Sequence, residues 1–425
     1  MPELNHLTAA RAARDVAAGK ITSEALVRDC LDRIRERDRD VQAWVYCDPD
    51  GAIAQAREID RKGARGPLAG VPVAFKDVLD TSDMPTEYNS PIYKGYRPRT
   101  DAACAALTRR AGGVVLGKTV TTEFATRIAG PTRNPLNLEH TPGGSSSGSA
   151  AAVADFMAPL AFGTQTGGST IRPAAYCGVV GYKPTFNTIN RSGMKIVSDS
   201  IDTIGVIART VEDCALLVHA VASLPMPDFS VKLPHAPRVG FCRTSRWDKA
   251  SAASQQTVEA AAQTFARAGA PVKDFVLPDA FDALYDEQEI IANYEGAHAL
   301  AHERFTFPEL LSDHLRGKLA EFAPKRDAYE KALRHVRACG LALRDLMRDF
   351  DVLLTPATVG EPEKGITNTG NSLFNRVWTV LRVPAVTVPA GRGPLGLPLG
   401  IQLVGAFEAD RTVLEVAEWA HQAIR

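Results

Sequence analysis

From residue 68 onward, short β-branched runs bounded by Gly and Pro alternate with segments of helical spacing, and this alternation constrains the fold most. "LAGVPVAFKDVLDT" (68–81) is the first such run; "DAACAALTRRAG" (101–112), with helical spacing, then precedes "VVLGKTVTTEFA" (114–125). The pattern predicts an α/β sheet flanked by helices. Far downstream, "DVLLTPAT" (351–358), "VPAVTVPA" (383–390) and "LGIQLVG" (399–405) read as buried strands that return to the same sheet. Two stretches depart from the alternation. Residues 6–62 read as helices and form an N-terminal helical layer (1–62), in which "TSEALVRDCLDRIRERD" carries Thr22 or Ser23 as its N-cap. Residues 279–348 read as a helical insertion over one face of the sheet, with "YEKALRHVRACGLALRDLMRD" its clearest amphipathic stretch. No low-complexity linker divides the 425 residues, so 1–425 reads as one domain.

Bulk properties exclude several classes of function. Lys plus Arg and Asp plus Glu number 49 each, so the summed charge gives no long-range attraction to nucleic acid or anionic lipid. The seven cysteines are odd in number, scattered and without a CxxC pair, which argues against a disulfide framework and a zinc site and for a reducing cytoplasm. No apolar run approaches the ~18 residues of a spanning helix, and the first 20 residues lack the apolar core of a secretory signal. The reading is of a soluble cytoplasmic protein with neither nucleic acid nor membrane as partner.

The chemistry concentrates in two Gly/Ser loops. "GGSSSGSAAAVA" (143–154) admits three readings. Ser147 or Ser149 caps a helix beginning at Ala150; or the backbone N–H groups of a Gly-rich helix start bind an anion; or a serine is a nucleophile. Gly144-Ser145-Ser146-Ser147-Gly148 formally satisfies the GxSxG elbow of α/β-hydrolases, which would make Ser146 the nucleophile. The elbow needs a strand immediately before it, and "NPLNLEHTPGG" is not one. "GTQTGGSTIRPAAYCG" (163–178) presents Gly-Gly-Ser again, and the stretch between Ser145 and Ser169 suffices for a loop, a helix and a return strand. Both serines can therefore meet at one end of a sheet. Lys76 follows an apolar strand; a solvated lysine is only a charge, whereas a desolvated one loses its proton and acts as a base.

These stretches, "GVPVAFKD", "GKTVTTEFA", "TPGGSSSGSAAAVA", "GTQTGGSTIRPAAYCGVVGYKPT" and "VPAVTVPAGRGPLGLPLGIQLVG", resemble the amidase signature family in order and spacing over residues 66–405. The short bacterial malonamidase-like members resemble the chain most, sharing Gln165 and an Arg three places after the second loop's serine. The resemblance implies a single large α/β domain with a mixed twisted β-sheet core covered by helices on both faces. It further implies a Ser-cisSer-Lys triad: Ser169 the nucleophile, Ser145 the proton-relaying serine behind a cis Gly144–Ser145 bond, and Lys76 the base. Backbone N–H groups of Thr166, Gly167, Gly168 and Ser169 would hold the oxyanion, and losing one such donor commonly costs ~10²–10³ in rate. Ser146 and Ser147 are left as loop and helix-start donors, with Ser147 supporting the network around Lys76.

The implied activity is hydrolysis of a small linear amide to an acid and ammonia or amine, without metal or organic cofactor, by a homodimer joined through the N-terminal helices. Arg172, Gly143, Gly144 and Ser146 are the expected substrate-binding residues, with residues 86–96 (Tyr88 and Tyr93 among them), residues 125–130 and the helical zone as the roof. The family's usual pattern has Asp at position 165 and Arg at position 171, where this chain has Gln165 and Ile171. Arg172 then either contacts a substrate carboxylate, as in the malonamidase-like relatives, or is held in an internal ion pair. Other readings are the glutaminase component of a tRNA-dependent amidotransferase, an esterase or carbamate hydrolase, and a non-catalytic binding module. "KPTFNTINRSG" lacks the GRVSR-like run of those glutaminase components.

Overall fold

The β-branched runs form eleven strands: β1 (Trp44–Cys47), β2 (Pro72–Lys76), β3 (Val114–Thr119), β4 (Leu160–Gln165), β5 (Val180–Lys183), β6 (Thr203–Ala208), β7 (Val239–Phe241), β8 (Val272–Asp274), β9 (Val352–Pro356), β10 (Ala385–Arg392) and β11 (Pro398–Val404). A computed structural model describes residues 3–425; Met1 and Pro2, the first two positions of the expected N-terminal layer, lie outside the described residues. All eleven strands join one sheet in the order β1-β3-β2-β4-β6-β5-β10-β11-β9-β7-β8. Pairing is parallel for β2 with β3 and β4 and for β7 with β8 and β9, and antiparallel elsewhere, so the sheet is mixed. Fourteen α-helices among the described residues flank it. No helix among them is long and apolar enough to cross a membrane.

The central strands are buried from end to end, as their uniform apolar runs require when helices cover both faces. The N-terminal layer is not wholly helical, contrary to the sequence reading. Between helices Ser23–Val41 and Pro49–Lys62, the aromatic and β-branched run Trp44-Val45-Tyr46-Cys47 pairs antiparallel with β3 and becomes an edge of the sheet. Thr22 does cap the first of these helices, accepting from Ala25 N. Between β8 and β9, helices Leu284–Ala299, Ala301–Thr306, Asp313–Phe322 and Arg326–Leu346 follow one another. Phe281, Leu284, Ile291, Ala332 and Leu343 from this stretch share one apolar core with Leu353, Ala385 and Val404 of the sheet.

Two strand ends set up the site. β2 and β4 run parallel with Phe75 opposite Phe162, so their C-terminal residues, Lys76 and Gln165, emerge at the same edge. The crevice beyond the carboxyl ends of parallel strands is where such sheets bind ligands.

Candidate active site

Both Gly/Ser loops meet at this edge. The first leads into helix Ser147–Ala154, which starts three residues earlier than its alanine run suggests. Neither Ser147 nor Ser149 caps it: Ser147 Oγ donates to Val120 O at 3.3 Å and Ser149 Oγ to Phe162 O at 2.8 Å. Their hydroxyls pin the helix to neighbouring backbone because the helix is buried all round. The Gly144–Ser145 peptide bond is cis. No strand precedes the loop, and Ser146 is fully buried, its Oγ accepting from Thr164 N at 3.2 Å and donating to Thr164 O at 3.3 Å. Ser146 is thus a brace between the loop and β4, not the substrate contact or elbow nucleophile that the sequence allowed.

Lys76 is wholly buried, and its Nζ donates to Ser145 Oγ and to Thr164 Oγ1, each at 2.7 Å. No carboxylate among the described residues lies within ion-pair distance of it. The neighbouring Asp77 instead pairs with Lys118 at 3.1 Å, both side chains fully buried. Burial in low dielectric disfavours the ammonium and lowers the Lys76 pKa to about 7, with Arg172 adding to the shift and Asp202 opposing it. A large fraction of Lys76 is therefore neutral at pH 7. Ser147, expected to support the network around Lys76, gives its hydroxyl to Val120 O instead, and Thr164 accepts from Lys76. Thr164 was missed because a threonine inside a strand carries no signal of its own.

The second loop lines an open cavity of about 550 Å³ with Thr166, Gly167, Gly168 and Ser169. The Ser169 hydroxyl and the N–H groups of Gly167, Gly168 and Ser169 have no hydrogen-bond partner among the described residues. Their setting is rigid. Gln165 Oε1 accepts from Thr170 N and Ile171 N at 2.9 and 3.0 Å, and its Nε2 donates to Thr379 Oγ1 at 2.9 Å. Thr379 Oγ1 donates to Gly167 O at 2.7 Å, Gln288 Nε2 to Thr166 O at 2.8 Å, and Thr166 Oγ1 to Asp202 Oδ1 at 2.5 Å. A Cβ at Gly168 would come within 2.3 Å of Asn375 Oδ1, so only glycine fits there. Ser146 N donates to Ser169 O at 3.3 Å, tying the two loops together.

Arg172 lies in the helix Ile171–Tyr176 and lines the cavity, buried, with Nη2 donating to Gly144 O at 2.6 Å and to Thr369 Oγ1 at 3.3 Å. Its Nε has no partner, and no carboxylate pairs with it among the described residues, so the internal ion pair that was one of its two readings is absent. Burial lowers its pKa to about 10, which still leaves it charged at neutral pH. Gly143 and Gly144, expected to touch substrate, are not among the cavity-lining residues; the Gly144 carbonyl is occupied by Arg172. Of the expected roof, Ala125, Thr126 and Arg127 and the helical residues Gln288, Glu289, Asn293 and Lys318 line the cavity. Tyr88 and Tyr93 do not. Their hydroxyls donate to Asp80 at 3.2 Å and Glu303 at 2.6 Å, and their rings pack with Tyr96 and Phe124 in an aromatic cluster, Tyr88 stacked on Phe124 and Tyr93 edge-on to both Tyr96 and Phe124.

The family description Amidase matches residues 25–414. Among curated relatives, the A component of the glutamyl-tRNA(Gln) amidotransferase of Roseiflexus castenholzii (strain DSM 13941 / HLO8) is 34% identical over 100% of this chain and 97% of its own. That of Lysinibacillus sphaericus (strain C3-41) is 32% identical over 96% and 94%. The native peptide amidase from Stenotrophomonas maltophilia superposes with a TM-score of 0.85 at 30% identity, covering 99% of this chain and 97% of that one. A family match spanning nearly the whole chain, on a fold shared with a solved amidase, places this chain in the amidase signature family as an amidohydrolase that cleaves amide C–N bonds.

Proposed function

We propose that the protein hydrolyses a small linear amide carrying a carboxylate near its scissile carbonyl, through a seryl acyl-enzyme, without a cofactor. The observation that carries this reading is a buried Lys76 amine, its pKa lowered to about 7 by desolvation, 2.7 Å from Ser145 Oγ at the edge where Ser169 lines the cavity. Lys76 takes the Ser145 proton as Ser145 takes that of Ser169, whose Oγ attacks the carbonyl carbon. The negative charge developing on the carbonyl oxygen is met by the unpartnered N–H groups of Gly167, Gly168 and Ser169, which need no reorganisation because Gln165, Thr379, Gln288 and Asp202 already brace the loop. The C–N bond breaks as Ser145 returns its proton to the leaving nitrogen. Water then enters by the same route, its proton passing to the relay and its oxygen to the acyl carbon, releasing acid and Ser169.

Arg172 supports the preference for a carboxylate: it is charged, lines the cavity and lacks an acidic partner, a state that a planar two-point contact with substrate relieves. The test is a fluorophosphonate probe together with a turnover panel of aliphatic, carboxylate-bearing, aryl, ester and carbamate substrates. Labelling of Ser169 that needs Lys76, and a carboxylate preference abolished in Arg172→Ala, are expected. Labelling of Ser146 instead, or equal turnover of a carboxylate-bearing amide and its neutral isostere, would refute it. A second reading, the ammonia-supplying component of an amidotransferase, is favoured by curated relatives 32–34% identical along nearly the whole chain. Stable copurification with a second polypeptide, and glutamine hydrolysis that depends on it, would establish that alternative.

A further inference from the structure

The cavity is wider and more positive than an amide with a single carboxylate requires. Among the described residues, Arg127, Arg172, Lys318 and Arg376 line it, against Glu289 and Glu363. Three of the cations come from separate segments: Arg127 from the loop after residues 123–125, Lys318 from helix Asp313–Phe322, and Arg376 from helix Leu373–Val380. They share one carboxylate. Glu289 lies 3.5 Å from Arg127 Nη2, 3.4 Å from Lys318 Nζ and 3.5 Å from Arg376 Nη1. Each contact is longer than the ~2.7–2.9 Å of a well-made charge-assisted hydrogen bond. Glu289 brings one negative charge to three positive ones, and the only other carboxylate within ion-pair distance of them among the described residues is Glu321, 4.0 Å from Lys318 Nζ, so the cluster keeps a positive excess. Arg376 is mostly desolvated, with 18% of its side chain exposed, and among the described residues the only other hydrogen bond of its side chain is Nε donating to Ser372 Oγ at 3.2 Å.

We propose that Arg127, Lys318 and Arg376 form a second anion subsite, and that the substrate is a dianionic amide whose distal carboxylate takes the place of Glu289 among these cations. The inference rests on the carboxylate-bearing amide proposed above and extends it: Arg172 reads the charge on the acyl side, and the three-cation cluster reads a second charge farther along the molecule. Glu289 acts as an internal surrogate for that charge. It keeps the cations from repelling one another in the free protein and must move aside when substrate enters. In a purely structural arrangement, Glu289 would pin the helix Leu284–Ala299 to the site, and its removal would only weaken binding.

These alternatives make opposite predictions for one substitution. The probes are N-(2-carboxyethyl)malonamate and N-propylmalonamate, which match in length and differ in the distal carboxylate. Binding is measured by calorimetry on the full chain carrying Ser169→Ala, so that the result does not depend on turnover. The doubly charged probe is expected to bind about tenfold tighter than the singly charged one. That ratio should fall toward one in Arg376→Ala and in Lys318→Ala. Glu289→Gln should raise affinity for the doubly charged probe several-fold by removing its competitor. Equal affinity for the two probes, or weaker binding of the doubly charged one to Glu289→Gln, would overturn the subsite. Failure of the wild-type enzyme to cleave either probe bears on the proposed Ser169 chemistry alone, because the binding ratio is read independently.

Discussion

Lys76 sits at the end of a strand whose every residue is buried, and burial changes what its amine is. In water a lysine is a cation; here, with hydroxyls for neighbours and no carboxylate in reach, the ammonium has lost its hydration and gained no counter-charge. The next residue, Asp77, does not supply one, because it is committed to Lys118. We expect kcat/KM to rise with pH through an inflection near 7 as Lys76 loses its proton, and Lys76→Ala to lack both the inflection and most of the rate. Stability should follow the same linkage. The folded-state pKa lies below that of an unfolded lysine, so between about 7 and ~10.4 the unfolded chain holds the extra proton. Wild type should therefore gain stability relative to Lys76→Met as pH rises through that window; urea titrations at pH 6.5 and 9.5 check the sign. The positions of Lys76, Ser145 and Ser169 were legible because each stands in a motif of unusual spelling. Thr164 and Asp202 were not, since their roles exist only where another segment reaches them.

At the scale of elements, the short helix Ser147–Ala154 shows how close packing limits sequence. A Cβ at Gly148 would lie 2.1 Å from Ala43 O and 2.4 Å from Val120 N, both backbone atoms that cannot rotate away. Gly148→Ala should therefore cost roughly 2–3 kcal/mol or more by overpacking, despite alanine's better helix propensity. Gly340, in the exposed helix Arg326–Leu346, has nothing within 4 Å of an added Cβ. Gly340→Ala should raise stability by about 0.5–1 kcal/mol through propensity alone. Chemical denaturation of the two variants beside wild type measures the contrast. The runs that became β2, β3, β9, β10 and β11 were readable from periodicity and β-branched content, whereas β5 to β8 were not singled out. The strand β1 was not, because four residues between two long helices offer too short a window, and it is β3 beside it that makes a strand of them.

Across the whole molecule, strands remote in sequence become neighbours: β5 lies between β6 and β10, and β10 pairs with β11, so the C-terminal quarter completes the middle of the sheet. Asp410, in the last helix, fastens that closure by accepting from Tyr182 OH at 2.5 Å and Thr185 N at 2.9 Å. Asp410→Ala would leave both donors buried without a partner, and we expect a loss of about 2–4 kcal/mol, seen as a lowered melting temperature. The amino-acid sequence by itself determined the α/β class, the return of the late strands to one sheet, and the places of the two serine loops and the lysine. These are encoded locally, in periodicity and in spelling that a reader can follow along the chain. Tertiary structure alone decided that Lys76 is dry, that Ser146 braces rather than binds, that Tyr88 and Tyr93 pack away from the cavity, and that Arg172 faces it without an acidic partner. Desolvation and hydrogen-bond partnership are properties of what surrounds a side chain, and those surroundings are assembled from segments far apart in sequence.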